Sequence, residues 1–358
     1  MSRQNSLPFP WVFLYYNALV RPLLSILSAL ALTGLAAWPQ VQATGVDANL
    51  RGISVGRTGT GKYVVWASGT KGTVLRSTDA GKSWMRLYVD GGADLDFRGI
   101  EAFDAATAYL MSSGDGEKSR IYKTIDGGKS WTQQYTDKRP GFFLDSLACA
   151  SRTRCFALSD PVEGKFVVLT TADGQHWKEL QRDKMPAALP GEGAFAASGT
   201  SIALCGHNIY FGTGGPAARV FHSADRGRSW TAAETPMARG NPSSGIFSLA
   251  CHDRSLVAVG GDYTQPAGAS KVAIYSTDSG ATWRLAEQQP GGYRSAVAFL
   301  SGRRFVAVGT NGSDLSRDAG IHWTHRDDLN LNAIRFAADR SCAVGPKGTV
   351  IVVGERSH

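Results

Sequence analysis

Six times between Ser77 and Trp323 the chain repeats Ser or Thr, any residue, Asp, a glycine turn and then Trp. The first copy reads Ser77-Thr-Asp-Ala-Gly-Lys-Ser-Trp84 and the last Ser316-Arg-Asp-Ala-Gly-Ile-His-Trp323. The aspartates Asp79, Asp126, Asp173, Asp225, Asp278 and Asp318 lie 47, 47, 52, 53 and 40 residues apart, in the range of a four-stranded propeller blade. Each box closes on a tryptophan: Trp84, Trp131, Trp177, Trp230, Trp283 and Trp323.

The boxes have a mechanical role. An Asp carboxylate bonds nearby backbone amides, Gly supplies the positive φ of a hairpin turn, and the Ser or Thr hydroxyl joins them. The Trp that follows begins the next strand and can bury about 150–250 Å² between neighbouring blades. These residues are therefore structural rather than catalytic. The third box, Asp173-Gly-Gln-His-Trp177, is one residue shorter than the others, which predicts a distorted turn in blade 3.

The motif resembles the Asp-box, or BNR, repeat of sialidases, other glycoside hydrolases and non-enzymatic propellers. The wider unit, with Trp66-Ala-Ser-Gly-Thr-Lys-Gly-Thr-Val-Leu-Arg-Ser ahead of the first box, looks most like the photosystem II assembly and stability factor family. That resemblance spans residues 50–354. It implies an all-β fold and, for function, a scaffold or assembly role on a membrane complex.

Seven units start near Leu50, Phe97, Leu144, Gly193, Ile246, Tyr293 and Asn332, and the seventh has no box. The expected fold is a single seven-bladed propeller of four-stranded antiparallel blades over residues 44–358. Its last blade takes an outer strand from residues 45–49, so that the two chain ends close the ring and leave no open edge. A six-bladed ring with a tail is the alternative.

Ahead of the propeller, residues 23–37 are an apolar run preceded by Arg21 and followed by Val41-Gln-Ala43, a small-residue cleavage pattern. The run is short for a membrane span, so residues 1–43 read as a signal peptide cut after Ala43, which delivers a periplasmic or secreted protein. An uncleaved anchor is the alternative, and Val20 competes with Met1 as the start. Of the five cysteines, Cys149 and Cys155 fall on the two strands of one hairpin and are expected to pair. The pairing of Cys205, Cys251 and Cys342, on different blades, is open, and at least one thiol stays free.

The net charge of +8 favours anionic partners: a protein surface, a membrane-complex subunit, an acidic glycan or a lipid head group. Nucleic acid is not expected, because no basic run or aromatic-basic face occurs. No metal-ligand spacing and no cofactor fingerprint is present either. Gly56-Arg-Thr-Gly-Thr-Gly-Lys62 has phosphate-loop spacing but continues into Val64-Val-Trp66, a strand where a helix is required.

Strand alternation puts the boxes on one face and the blade-to-blade crossings on the other, the side that holds ligand in the sialidases the chain resembles. One position near the start of each innermost strand reads Arg51, Arg98, Asp145, Gly193 beside Glu192, Phe247, Arg294 and Asn332. In a closed ring Arg294, Arg51 and Arg98 share one side of the channel mouth and can take carboxylate or phosphate in bidentate fashion. Solvation, or pairing with Asp145, Glu192 and loop acids, is the competing reading. Loops carrying Asp115, Asp160 and Asp262 complete the face. The expected function is a monomeric, non-catalytic binding scaffold without a cofactor. A glycoside hydrolase using carboxyl groups among Asp145, Asp160, Glu192 and Asp262, with Tyr293, is the alternative. The Phe/Tyr-Arg-Ile-Pro segment typical of sialidases is absent.

Overall fold

The computed structural model describes residues 40–57, 60–337 and 340–354. Residues 1–39 of the expected signal peptide and the competing start at Val20 lie outside these residues, as do two residues of the turn over 56–62. That turn joins two strands directly, Leu50–Arg57 and Tyr63–Gly69. Seven antiparallel sheets follow one another along the chain. They form blades 1 to 7 over residues 50–87, 96–136, 144–179, 202–234, 241–285, 296–327 and 333–354. Each blade contributes four strands, and a two-residue strand, Gly214–Gly215, adds a fifth to the inner edge of blade 5.

A blade has no core of its own. Strand Tyr63–Gly69 is buried at every position because both faces of its sheet are covered by neighbours, whereas the outer strand Met85–Leu87 is mostly exposed. Blade 1 packs Trp66 and Val74 against Phe97, Leu110 and Tyr122 of blade 2. Its other face packs Leu50, Val65 and Leu75 against Ala333, Cys342 and Val344 of blade 7.

The boxes fix these interfaces. Ser77 donates to Asp79 Oδ1 at 2.7 Å and accepts the Gly81 amide at 2.7 Å. Asp79 in turn accepts the amide and hydroxyl of Ser83 at 2.9 and 2.6 Å. These bonds from Ser83, then Ser77, hold the Asp79 carboxyl down at about 2. The reversal uses positive φ at Ala80 (62°) and Gly81 (90°), where glycine carries no steric penalty. Trp131 then sets its ring edge-on to Trp66 of the preceding blade at 6.2 Å, and Trp177 does the same to Tyr109 at 6.0 Å. The shortened third box closes by the same logic, with the His176 ring reaching Asp173 at 2.7 Å, as His322 reaches Asp318 in the sixth box, where a hydroxyl stands in the other four.

The ring closes differently from the expectation. The outer strand of blade 7 is Gln40–Gln42, paired with Val350–Gly354, and not residues 45–49. Residues 44–49 instead carry the chain from the outer edge of blade 7 to the inner strand of blade 1. They are tied down by Gly348 N–H to Ala48 O at 2.7 Å and Leu50 N–H to Gly345 O at 3.1 Å. A cut after Ala43 would remove the closing strand. A chain starting at Thr44 should therefore melt roughly 3–8 °C below one starting at Pro39, and equal melting points in a thermal scan would show that Gln40–Gln42 is dispensable.

Cys149 and Cys155 pair within the blade 3 hairpin. A second disulfide, Cys205–Cys251, joins the inner strands of blades 4 and 5, and Cys342 is free and buried, its thiol pushed up to about 12 by burial. The second bridge spans 46 residues and the first only 6. Chain entropy then predicts that serine replacement of Cys205 and Cys251 costs roughly 4 kcal/mol and of Cys149 and Cys155 roughly 2 kcal/mol. Denaturant midpoints measure both, and equal losses would contradict the ordering.

Candidate functional site

On the crossing face, one irregularity recurs. The first two strands of blade 1 slip register between Leu50 and Gly52, those of blade 2 between Phe97 and Gly99, those of blade 3 between Leu144 and Ser146, and those of blade 5 between Ile246 and Ser248. The residue skipped each time is Arg51, Arg98, Asp145 or Phe247. A bulge leaves its extra residue outside the ladder and re-aims the side chain. Here all four line one cavity of about 510 Å³ at the mouth of the ring.

Blade 4 supplies the floor. Its inner strand begins at Ile202, not near Gly193, because residues 194–201 leave the blade. Ala196 O lies 3.4 Å from the Arg98 guanidinium on blade 2, and Ser198 donates to Ser295 O at the start of blade 6 at 2.9 Å. A segment of blade 4 that reaches two blades away in both directions sits on the ring axis. Thr200 and Ser248 share a hydrogen bond at 2.7 Å beneath it. The cavity is thus a basin with a closed bottom.

The walls differ in chemistry. Arg51 and Arg98 come from blades 1 and 2. Arg98 is paired with Asp96 at 2.8 Å, whereas Arg51 has no ion pair among the described residues, and its Nε is buried without a hydrogen-bond partner. Burial, then the neighbouring Arg98 charge, lowers the Arg51 pKa. Blade 3 supplies Asp145, only 1% exposed, and Asp160 on the adjacent strand. Burial raises the Asp145 carboxyl well above its usual range and the Asp160 charge adds to this. Asp160 itself is raised by burial to about 6, although the Ala194 amide donates to it at 2.8 Å. The remaining wall is aromatic: Phe195 stacks on Phe247 at 3.8 Å, and Tyr293 meets Phe247 edge-on at 4.8 Å with Tyr263 beside them. Among the described residues no cluster of His, Cys, Asp or Glu could hold a metal.

Of the residues expected to share this face, Arg51, Arg98, Asp145, Asp160 and Tyr293 are brought together. Arg294 is not. Blade 6 has no bulge at its start, since its ladder opens on Ala296 opposite Val308. Arg294 is wholly buried, donating from Nε to Asp314 at 2.6 Å and from Nη1 to Asn311 Oδ1 at 2.6 Å and to Tyr293 O at 2.8 Å. Glu192 is also withdrawn, held by the Arg219 guanidinium and by the Thr213 hydroxyl at 2.6 Å. Asp262 lies outside the cavity lining. Burial opposes its ionisation, but donors on Thr264 and Ser243 outweigh this and hold it at about 2. Asp115 is exposed at the start of the short helix Gly116–Lys118 and does not line the basin. Phe195 went unrecognised in the sequence. The available signal was the small-residue run after it and the long spacing between the third and fourth boxes.

The sequence profile described as the DUF6242 beta propeller domain matches residues 36–301. The chain belongs to this family. No curated protein sequence matches it. Among solved structures, YCF48 from Cyanidioschyzon merolae is similar at 18% identity, covering 88% of this chain and 98% of that one, with a TM-score of 0.60. A structure described as YCF48 bound to D1 peptide is similar at 12% identity, covering 89% and 95%, with a TM-score of 0.58. A computationally designed protein, Ika8, is similar at 10% identity, covering 88% and 99%, with a TM-score of 0.53. The DUF6242 propeller of this chain thus shares its fold with YCF48, as the resemblance of the repeats implied.

The blade 3 acids make the stability of this family member depend on pH. A carboxyl whose pKa is raised on folding stabilises the fold below its unfolded value of about 3.9, and that contribution is lost as pH rises through the folded value. For Asp160 the window is therefore from near 4 to just above 6. Asp160→Asn should remove a pH-dependent difference of about 3 kcal/mol across it. Its stability relative to wild type should rise from pH 4 to pH 7 in urea titrations, and a constant difference would contradict the assignment.

Proposed function

We propose that this chain is an exported, monomeric, non-catalytic scaffold that grips a partner protein of an envelope or membrane complex through the basin, an anionic group of the partner seating on Arg51 and Arg98. The observation that carries this reading is the pair of arginines placed by matching bulges on adjacent blades, with Arg51 in no ion pair among the described residues. A half-buried guanidinium with no ion pair among the described residues favours an anion brought from outside. The aromatic wall adds apolar area beside it, the composition of a protein-binding hot spot. The similar YCF48 structure holds a D1 peptide, which supports a protein as partner. Two disulfides fit an oxidising compartment and thereby support export.

Hydrolysis is disfavoured by the placing of the acids. A glycosidase sets two carboxyl groups on either side of the scissile bond. Here Asp145 and Asp160 stand side by side on one blade, and Glu192 and Asp262, the other two acids of that reading, are engaged elsewhere.

The test is crosslinking and affinity purification of the exported protein, followed by titration of the recovered partner. Arg51→Gln with Arg98→Gln should weaken binding at least about 30-fold, the lower end of what losing one side of a buried charged pair costs. The wild-type interaction should weaken with salt. Unchanged binding in the double variant would move the site elsewhere.

A further inference from the structure

The basin holds a second pole that an anion does not use. Asp145 lines it, is 1% exposed, and its Oδ2 meets no hydrogen-bond donor among the described residues. Asp160, next to it, spends Oδ1 on the Ala194 amide. The nearest candidate cation, Arg98, is engaged by Asp96 at 2.8 Å. Blade 3 therefore presents an acid pair with no ion pair of its own among the described residues, the Arg98 charge reaching Asp145 only at longer range. On the other side of the basin Arg51 has no ion pair among the described residues, the Asp96 charge reaching it only at longer range.

The wall beside these poles suits an ammonium. Phe195 and Phe247 are stacked within 10° of parallel, and Tyr293 stands at 87° to Phe247. Tyr263 closes the group at 6.1 Å from Phe247, 54% exposed at the rim. Aromatic faces and edges clustered next to carboxyl groups are the recurrent setting for alkylammonium recognition. A simple amine would bring its charge toward Arg51 and Arg98, and a simple anion would leave Asp145 unmet and face a second negative pole. A ligand carrying both charges satisfies both sides together. The volume, about 510 Å³, suits an amino acid or a short peptide segment.

We propose that the occupant of the basin is zwitterionic, with an ammonium against Asp145 and Asp160 beside the aromatic wall and an anionic group on Arg51 and Arg98. This rests on the basin being the binding site and adds its second pole. The same chemistry could come from a free amino acid or from a peptide segment that carries both charges.

The experiment is calorimetric titration of the purified exported chain with L-phenylalanine and with the tripeptide Phe-Ala-Phe. Each is used free, N-acetylated, C-amidated and blocked at both ends. The free forms should bind, and blocking either end should weaken binding at least 10-fold. In Asp145→Asn the penalty for acetylation should vanish while that for amidation remains, and in Arg51→Gln the reverse should hold. If Asp145→Asn fails to fold, as judged by circular dichroism, Asp160→Asn takes its place. Binding of the amino acid as tight as that of the tripeptide assigns a small-molecule occupant, and binding of the tripeptide alone assigns a peptide segment. A penalty for amidation with none for acetylation overturns the zwitterion and leaves the arginine site standing. No penalty from either block, with binding undiminished in Arg51→Gln, overturns both. No binding of any free form at millimolar concentration overturns the zwitterion, and the partner titration then judges the arginine site by itself.

Discussion

Burial between blades is the constraint on which the rest of this molecule depends. A sheet of four short strands has two apolar faces and no interior, so each blade is stable only while a neighbour covers each face. Strand Tyr63–Gly69, buried throughout, shows the consequence in blade 1. The requirement has no natural end until the ring closes, and for that reason the three-residue strand Gln40–Gln42 matters more than its length implies: it completes blade 7, whose inner strands cover blade 1. The boxes serve the same constraint. Their aspartates are satisfied by their own turns, and what they accomplish is to hold each tryptophan at the seam.

Closure around an axis also creates the site. The inner strands surround the axis, so a residue released from the ladder at the start of one can face the axis whatever its chemistry. Blades 1, 2, 3 and 5 release Arg51, Arg98, Asp145 and Phe247 through the same slip of register. A repeated backbone feature thus carries non-repeated side chains. Blade 4 gives up the first part of its inner strand altogether and uses it as a floor, so that a hole through the ring becomes a basin.

The fold was legible because the period and the box chemistry recur six times, and any one copy corrects the reading of another. Arg51, Arg98 and Asp145 were legible for the same reason, as equivalent positions in aligned units. Arg294 occupies the same aligned position and fails, because its partner Asp314 lies 20 residues on and the bulge that would have freed it is a property of pairing, not of composition. Glu192 fails likewise through Arg219, 27 residues away. Gln40–Gln42 is too short to show alternation, and the Cys205–Cys251 bridge joins positions that only the packing of blades 4 and 5 brings together. What remained hidden in each case was a contact between segments, to which a repeat, read one unit at a time, is blind.

The most telling property of the basin is that its opposite charges do not neutralise one another. A direct pair between Arg51 and Asp145 would relieve a half-buried cation and a buried acid together, and proteins that bury charge ordinarily do so in pairs. Arg294 with Asp314, and Glu192 with Arg219, show that this chain makes such pairs where only stability is at stake. Arg51 and Asp145 stand on the inner strands of blades 1 and 3, with blade 2 between them, and Arg98 on that blade turns to Asp96. The fold therefore holds the poles apart on rigid strands and leaves the cost of burial on each, which raises the pKa of the acid and lowers that of the guanidinium. A ligand that supplies both missing partners relieves that cost on binding, and a ligand carrying only one charge relieves half of it.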